Sequence, residues 1–377
     1  MRILVVEPRL DDNGAVRVTL DRAARWAAAG DDVTLFVFSQ VSFVPTAPVP
    51  PSLTLVHPTA RPRRDQVVWA AAVARLTALA READVVVAGR EIDVGLLLAA
   101  GVSHLVRRPF AVTVQSSIDR ALADHVAPRS RRLVTSALRS ADLAVCVSAG
   151  LVPGLTALGL PGQRTAVVVN GVDVEDVRRR ALLPPAVDLP EEPFVVASGR
   201  LTRQKGFDLL LEAHARALDR GAPPHSVVVL GDGPDRAALE ARARELGVAD
   251  SFRMPGHLAE PHAVVARADL FALPSRWEGL GLSLVEAMAC GTPLLAADCV
   301  SGPGEVLDRG RYGRLLPPED VDALADALVD HLRDPEPLRA AAAAAGATVG
   351  QRFDAAAAAA HHRALLYGLA RPAAGAT

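Results

Sequence analysis

The feature that most constrains the fold is a set of short segments that are apolar except for Thr34 and Thr113, each followed by a stretch of helical character. They lie at 3–6, 33–38, 85–88, 111–114 and 143–147 in the first half, and at 194–197, 227–230, 270–273 and 294–296 in the second. A strand that is apolar at nearly every position must be covered on both faces. Such strands separated by helices predict parallel, doubly wound sheets of the α/β class.

The length of 377 residues exceeds one ordinary core and suits two domains. A stretch rich in proline and acidic residues at 181–193 separates the two sets of segments and is the predicted linker. We therefore expect an amino-terminal domain over 1–180 and a carboxyl-terminal domain over 194–352. A last helix within 353–377 could pack back on the amino-terminal domain. Ligands of doubly wound domains bind beyond the carboxyl ends of the strands, so a central cleft should hold the site.

The composition excludes several classes of protein. Apolar residues make up 50% of the chain and charged residues 22%, which excludes disorder over most of it. Cys146, Cys290 and Cys299 are too far apart for a zinc motif, and three cysteines do not make a disulfide scaffold. No apolar run approaches the roughly 18 residues of a spanning helix, and the apolar start is too short for a signal peptide. These features predict a soluble cytoplasmic protein.

The net charge of −2 is unevenly distributed, at +5 over 1–180 and −7 over 181–377. A basic first half could face an anionic partner, such as a phospholipid at the inner membrane surface, or it could be an ordinary solvated surface. No basic stripe with interleaved aromatic residues accompanies the charge, so a nucleic-acid partner is not expected.

Lys205 is the only lysine among 41 basic residues. Its compact ammonium can enter a narrow phosphate site that the planar guanidinium of arginine fits poorly. It lies in the turn 198–206 (Ser-Gly-Arg-Leu-Thr-Arg-Gln-Lys-Gly), which follows a predicted strand and precedes a predicted helix. Arg200 and Lys205 could therefore hold a diphosphate. The alternative is a loop with two solvated basic side chains.

Two further turns follow predicted strands. Residues 230–234 (Leu-Gly-Asp-Gly-Pro) carry two of the three glycines of a dinucleotide fingerprint, although a plain strand-to-helix turn explains them equally well. Residues 254–258 (Met-Pro-Gly-His-Leu) could present backbone groups to a nucleobase edge, or form an ordinary surface turn.

The most informative segment is 274–293 (Pro-Ser-Arg-Trp-Glu-Gly-Leu-Gly-Leu-Ser-Leu-Val-Glu-Ala-Met-Ala-Cys-Gly-Thr-Pro). A turn with two glycines leads into a helix that begins near Leu282, and the free N–H groups at its start favour an anion. Glu278 could reach a sugar beside that anion. Glu286, about one turn inside the helix, could accept both hydrogen bonds of a ribose diol.

These segments together resemble the family 4 retaining glycosyltransferases of the GT-B fold. The matching segments are 199–206, 231–234, 278–293, an amino-terminal glycine loop at 13–17, and 147–150 and 170–173 near the domain junction. The resemblance covers most of the chain. It implies two Rossmann-like domains facing a central cleft, a nucleoside diphosphate sugar as donor, with UDP favoured, and a hydroxyl acceptor.

The resemblance also implies residue roles. Arg200, Lys205 and Glu278 would be the catalytic residues, with the two cations on the diphosphate and Glu278 on the sugar hydroxyls, while Glu286 would hold the ribose. The implied donor-binding residues are Gly14, Gly199, Arg200, Lys205, Gly231, Gly256, His257, Leu258, Glu278, Leu280, Gly281, Leu282 and Glu286.

The sequence departs from the family pattern at two places. Family members often carry a histidine after the strand at 111–114, where this chain has Gln115 and Ser116, which we take as candidates for the acceptor side. The amino-terminal loop has Asn13-Gly14 in place of a glycine pair, a mild change because asparagine tolerates left-handed backbone.

No metal and no other cofactor is predicted. Fixed cations and helix N–H groups can stabilise the charge that builds on the leaving diphosphate. Asp320-Val-Asp322 matches the Asp-x-Asp element of metal-dependent sugar transferases, but it opens a predicted helix and is expected to cap it. The resemblance implies retention through front-face attack, in which a phosphate oxygen receives the acceptor's proton.

Three alternatives to a transferase are open. A sugar-nucleotide epimerase of the same architecture would need no acceptor. A nicotinamide dehydrogenase is disfavoured by the incomplete glycine fingerprint. A non-catalytic sugar-nucleotide sensor would be expected to lack Lys205 or Glu278, and both are present. The acceptor could be a lipid-linked sugar, a polymer or a small molecule.

Overall fold

The computed structural model describes residues 1–10, 13–38, 48–57 and 66–370, with the side chains of 66–69 left out. It divides into two compact units, one of Met1–Asn170 together with Ala355–Thr377 and the other of Gly171–Asp354.

The first unit contains a parallel sheet of seven described strands in the order β3-β2-β1-β4-β5-β6-β7. The strands are β1 Arg2–Glu7, β2 Asp32–Val37, β3 Thr54–Val56, β4 Val85–Ala88, β5 Phe110–Val114, β6 Leu143–Cys146 and β7 Thr165–Val167. Ile3 pairs with Val33 on one side and Val85 on the other. The order of strands reverses at β1, which creates the switch point beside which ligands of such sheets bind.

Helices cover both faces of this sheet. They are α1 Gly14–Ala28, α2 Gln66–Glu82, α3 Val94–Val106, α4 Ile118–His125, α5 Arg131–Arg139 and α6 Val152–Ala157. The apolar face of α1 packs on the sheet through Val16, Leu20 and Ala23, each at most 4% exposed. The apolar segments are therefore buried on both sides, which confirms the predicted α/β class.

The second unit repeats this plan with six described strands in the order β10-β9-β8-β11-β12-β13, again parallel. The strands are β8 Phe194–Ser198, β9 Ser226–Leu230, β10 Phe252–Gly256, β11 Leu270–Leu273, β12 Leu294–Ala297 and β13 Arg314–Leu316. The helices are α7 Val174–Ala181, α8 Phe207–Asp219, α9 Arg236–Glu245, α10 His262–Val265, α11 Leu282–Cys290, α12 Pro303–Val306, α13 Val321–Arg333 and α14 Glu336–Arg352.

The boundary between the units lies at Asn170, about ten residues before the end expected for the amino-terminal domain at 180. The reason is that α7 packs within the second unit. Its Arg178 donates through Nη2 to the carbonyl of Gly346 at 2.8 Å, and its Arg180 pairs with Glu260 at 3.1 Å. The expected linker, 181–193, therefore belongs to the second unit.

The last helix, α15 Ala355–Ala370, belongs to the first unit. The indole Nε1 of Trp26 in α1 donates to the carbonyl of Ala359 at 2.9 Å, and Leu366 is fully buried in the core of that unit. Arg363 donates through Nε to Asp31 at 2.5 Å. The chain thus returns to its first unit after completing the second.

None of the helices among the described residues combines the length and the apolar character that crossing a bilayer requires.

Candidate functional site

Three of the predicted glycines lie side by side at the carboxyl ends of β8, β9 and β10. The N–H of Gly199 donates to the carbonyl of Leu230 at 2.9 Å, and the N–H of Gly231 donates to the carbonyl of Gly256 at 2.8 Å. His257 follows Gly256 and is exposed, and Leu258 is half-buried. The turns predicted from the sequence therefore share one edge of the second sheet.

Lys205 and Glu278, from segments far apart in sequence, meet at this edge. The ammonium Nζ donates to Glu278 Oε1 at 2.7 Å, and the Ser275 hydroxyl donates to the same oxygen at 2.7 Å. The Glu278 side chain is only 7% exposed. Because these contacts fall on Oε1, Oε2 has no hydrogen-bond partner among the described residues and can accept a further donor.

Gly206 allows the two segments to approach this closely. Its backbone is left-handed, with φ of 67°, and a Cβ there would lie 2.1 Å from the carbonyl oxygen of Pro274. The contact is locked by backbone and side-chain bonds: Gln204 Nε2 donates to the carbonyl of Trp277 at 3.0 Å, and the N–H of Arg276 donates to the carbonyl of Gln204 at 2.8 Å. The turn that carries Lys205 is thus fixed to the loop that carries Glu278.

Arg276 extends this attachment to two further elements. Its Nη2 lies 2.6 Å from Asp208 Oδ2 at the start of α8, and its Nε lies 3.0 Å from Glu319 Oε2 before α13. Its Nη1 also donates to the carbonyl of Arg203 at 2.8 Å. A side chain with this many charge-assisted bonds holds the site loop rigid.

The start of α11 has unpaired donors. Gly281, left-handed with φ of 85°, precedes the helix, and hydrogen bonds to its carbonyl begin only at Leu284. The N–H groups of Leu282 and Ser283 have no acceptor among the described residues, and the Ser283 hydroxyl is buried without a partner there. These donors, with the helix dipole, favour an anion at this point.

Three other predicted residues, Glu286, Leu280 and Arg200, lie in the same segments but make no ion pair with Lys205 or Glu278. Glu286 is half-buried one turn inside α11, and Leu280, 4% exposed, packs before the helix. Arg200 follows Gly199 with an exposed side chain, and no hydrogen bond or ion pair within the described chain links it to Lys205 or Glu278. The structure therefore brings Lys205 into contact with Glu278 and leaves Arg200 outside that contact.

In the first unit, Gly14 begins α1, and the side chain of Asn13 caps the helix by accepting from the N–H of Val16 at 3.0 Å. Gln115 and Ser116 follow β5 at the carboxyl edge of the sheet, and both are half-buried. Ser116 donates its hydroxyl to Glu91, a residue that the sequence patterns do not single out.

Sequence patterns also missed Ser275, Arg276 and Ser301. Ser301 is buried and donates through Oγ to the Glu278 carbonyl at 2.6 Å, which fixes the loop from the far side. Ser275 and Arg276 lie inside the recognised segment, so proximity to Glu278 was a usable signal for them. Nothing in the sequence marks Ser301, which follows a different strand.

Asp320 caps α13 as predicted, its side chain accepting from the N–H of Ala323 at 2.9 Å. Within the described ranges, no group of three or more histidine, cysteine, aspartate or glutamate side chains is arranged to hold a metal ion.

Two Rossmann-like units, each with a parallel sheet and helices on both faces, place this protein in the GT-B class of fold. The family model described as Glycosyltransferase Family 4 matches residues 12–176, and the model described as Glycosyl transferases group 1 matches 183–348. The chain belongs to the family 4 glycosyltransferases, which confirms the resemblance drawn from its motifs.

Named relatives and a solved structure agree with this assignment. A GDP-mannose-dependent alpha-(1-6)-phosphatidylinositol monomannoside mannosyltransferase of Mycolicibacterium smegmatis is 37% identical over 46% of this chain and 47% of its own length. An alpha-D-kanosaminyltransferase of Streptomyces kanamyceticus is 33% identical over 44% of this chain and 42% of its own length. HepE of Anabaena, solved with UDP and glucose, has a TM-score of 0.80 at 22% identity, covering 98% of this chain and all of that one. The chain thus spans about half the length of the mannosyltransferase and of the kanosaminyltransferase.

Proposed function

We propose that the chain transfers a sugar, with retention at the anomeric carbon, from a nucleoside diphosphate donor to an acceptor hydroxyl. The observation that carries the proposal is the Lys205–Glu278 pair beside the unpaired amides at the start of α11. The ammonium and the amides can stabilise the negative charge that builds on the leaving diphosphate, and they need no reorganisation to do so. The open Oε2 of Glu278 can accept a hydrogen bond from a donor sugar hydroxyl.

We keep a UDP-sugar as the proposed donor. HepE, solved with UDP, supports it, whereas the mycobacterial relative named for GDP-mannose supports the alternative. The proposed base contacts are the backbone groups of Gly256, His257 and Leu258. The proposed contacts of Arg200 and Gly14 with the diphosphate, and of Glu286 with the ribose, stay predictions.

The proposed reaction needs no metal, because Lys205 and the helix amides supply the positive charge that a metal would otherwise supply. The acceptor's proton would pass to a phosphate oxygen as the new glycosidic bond forms on the face that the diphosphate leaves. Activity lost on treatment with EDTA and restored by Mn²⁺ would contradict this part of the proposal.

The acceptor is a lipid-linked sugar, a polymer or a small molecule, and the chain's cytoplasmic location and contact with a membrane surface stay predictions. The family assignment gives no support to an epimerase, which would release an altered sugar nucleotide without any acceptor. A non-catalytic sugar-nucleotide sensor would bind the donor and leave it unchanged.

The experiment incubates the protein with UDP-glucose or GDP-mannose, with and without glucose as a probe acceptor, and separates the products by mass and anomeric NMR signals. We expect one donor to release its nucleoside diphosphate and to form an α-linked product. An epimerised sugar nucleotide would support the epimerase, and binding without turnover of either donor would support the sensor. A β-linked product would contradict retention.

A further inference from the structure

Glu91 lies three residues after the end of β4, at the carboxyl edge of the first sheet, and is only 3% exposed. Its Oε2 accepts the backbone N–H of Gln115 at 3.1 Å, and its Oε1 accepts the hydroxyl of Ser116. Both oxygens of one desolvated carboxylate thus bind two consecutive residues after β5. Burial raises the pKa of this carboxyl.

Gln115 is held inward by other bonds. Its Nε2 donates to the carbonyl of Gly89 at 2.9 Å and lies 3.3 Å from Thr19 Oγ1 in α1. The amide donors of Gln115 are therefore used within the first unit, and of the two acceptor-side candidates Ser116 is the better placed for a substrate contact.

Ser116 can act toward a ligand only as a hydrogen-bond acceptor. A serine hydroxyl has one hydrogen and two lone pairs, and here the hydrogen is donated to Glu91. The carboxylate behind it makes the serine oxygen a stronger acceptor, because hydrogen bonds in a chain polarise one another. Ser116 itself is half-buried, so its oxygen lies close to solvent at the sheet edge.

Two arginines follow strands at this edge: Arg9 after β1 is exposed, and Arg90 after β4 is engaged with two carboxylates. Arg90 Nε lies 3.2 Å from Glu7 Oε2 and 3.3 Å from Asp93 Oδ2. An anionic group placed on Ser116 would have no hydrogen to donate and would meet lone pairs with the Glu91 carboxylate behind them. A hydroxyl group would instead donate its hydrogen to Ser116 at no electrostatic cost.

We propose that Glu91 is a positioning residue that fixes Ser116 as the hydrogen-bond acceptor for a non-reacting hydroxyl of a neutral polyol acceptor, such as a sugar. The proposal rests on the proposed glycosyl transfer and names its acceptor class at this edge. Ser116 orients the acceptor and takes no proton in the step, so the reacting hydroxyl keeps its own hydrogen for the phosphate oxygen. A phosphate or carboxylate elsewhere on the acceptor is compatible with it, but not at the position of Ser116.

Glu91→Gln tests the positioning role. A glutamine amide would donate to Ser116 Oγ, so the serine hydrogen would turn outward and the polarity at the site would be inverted. With UDP-glucose or GDP-mannose saturating, we expect kcat/KM for glucose to fall at least tenfold, mainly through a higher KM for glucose. The rise in Tm caused by UDP or GDP should stay as in the wild type, because the donor edge is untouched. Glu82→Gln, the same change at an exposed position of the same unit, is the matched control.

A second pair of variants keeps the test decisive if Glu91→Gln does not fold. Ser116→Ala should raise the KM for glucose as Glu91→Gln does. Ser116→Thr, which keeps a hydroxyl, should have the wild-type KM for glucose. Ser136→Ala on the exposed face of α5 is the control and should leave this KM unchanged.

The outcomes separate this inference from the proposed function. If no sugar nucleotide binds or reacts, the proposed function fails and this inference fails with it. If a donor reacts but Glu91→Gln and Ser116→Ala leave the KM for glucose unchanged, only the inference fails. Turnover of the donor with glucose not accepted would also overturn it.

Discussion

Lys205 occupies a narrow position. Its stem lies against Gly199, where a Cβ would be 3.2 Å from Lys205 Cε, and its ammonium reaches Glu278 at 2.7 Å. In a chain whose other 40 basic residues are arginines, this geometry gives a physical reason for the exception. The unbranched Lys205 side chain fits against Gly199, and its compact ammonium contacts a single carboxylate oxygen of Glu278.

Lys205→Arg should therefore fail to replace lysine. We expect both Lys205→Arg and Lys205→Ala to lower kcat/KM for the donor about 10- to 100-fold, since a hydrogen bond to a charged group contributes roughly 1.5–3 kcal/mol. Steady-state kinetics with the reactive donor checks this, and Arg253→Ala at a half-exposed position away from the pair is the control. Full activity of Lys205→Arg would mean that only the charge matters.

At the residue scale, the sequence singled out Lys205 and Glu278 as site residues but predicted neither their contact with each other nor the residues that support it. Lys205 was recognisable from its rarity, and Glu278 from its place before a glycine turn and a helix. Ser301 makes one contact and Glu91 two, each with a segment more than 20 residues away, and a contact between segments far apart in the chain leaves no local pattern. Arg200 was expected to act with Lys205, and its role stays a prediction.

At the element scale, a buried histidine pair fastens α8 to the sheet of the second unit. His214 in α8 shares a hydrogen bond of 2.9 Å with His225 before β9, and its other nitrogen lies 2.8 Å from Ser251 Oγ before β10. His225 also bonds the carbonyl of Pro223 at 2.9 Å. Burial, and next the neighbouring His225, lower the pKa of His214 to about 3.

This pair should make the second unit sensitive to acid. Between pH 6.5 and 3 the unfolded chain protonates His214 while the folded chain does not, so the free energy of unfolding falls as the pH falls. From pH 6.5 to pH 5, the titration of this one side chain should lower the free energy of unfolding by about 2 kcal/mol. Urea unfolding at both pH values should show that the free energy of unfolding falls less between pH 6.5 and pH 5 for His214→Gln than for the wild type.

The control for this experiment is His104→Gln, which changes an exposed histidine of the first unit and should keep the wild-type pH dependence. Glu7, whose pKa burial raises to about 7, is present in all three proteins and cancels in the comparison. Equal slopes for wild type and His214→Gln would show that the pair does not stay neutral in the folded state.

The elements differ in how well the sequence predicts them. Central strands such as β1 and β8 are apolar at every position except their ends, and their segments were found because burial on both faces leaves no other pattern. The edge strands β3, β7 and β13 have three residues each and are partly exposed, so neither length nor periodicity distinguishes them from loops. Their existence depends on a neighbouring strand that offers hydrogen bonds.

At the scale of the whole molecule, the path of the chain is the main feature. The second unit is inserted between Asn170 and Ala355, and α15 completes the first unit. A linker rich in proline was a reasonable signal for a boundary, but the helix before it, α7, takes its packing partners from α10 and α11, much later in the chain. Such partners cannot be predicted from the composition of the junction.

Leu366→Ala tests the contribution of α15 to the first unit. Leu366 is fully buried among the strands and α1, so its truncation should cost about 2–5 kcal/mol of the free energy of unfolding of that unit. Leu105→Ala, at a position 67% exposed in the same unit, should change stability by no more than about 0.5 kcal/mol. Urea unfolding measures both, and equal effects would show that α15 does not stabilise the first unit.

The central claim is that Lys205, with the amides at the start of α11, binds the diphosphate of the donor. Isothermal titration calorimetry of UDP and uridine, or of GDP and guanosine if the guanine nucleotide binds, tests it most directly on wild-type protein and Lys205→Ala. The variant should lose about 10- to 100-fold in affinity for the diphosphate and little for the nucleoside. Equal affinities of both proteins for the diphosphate would contradict it.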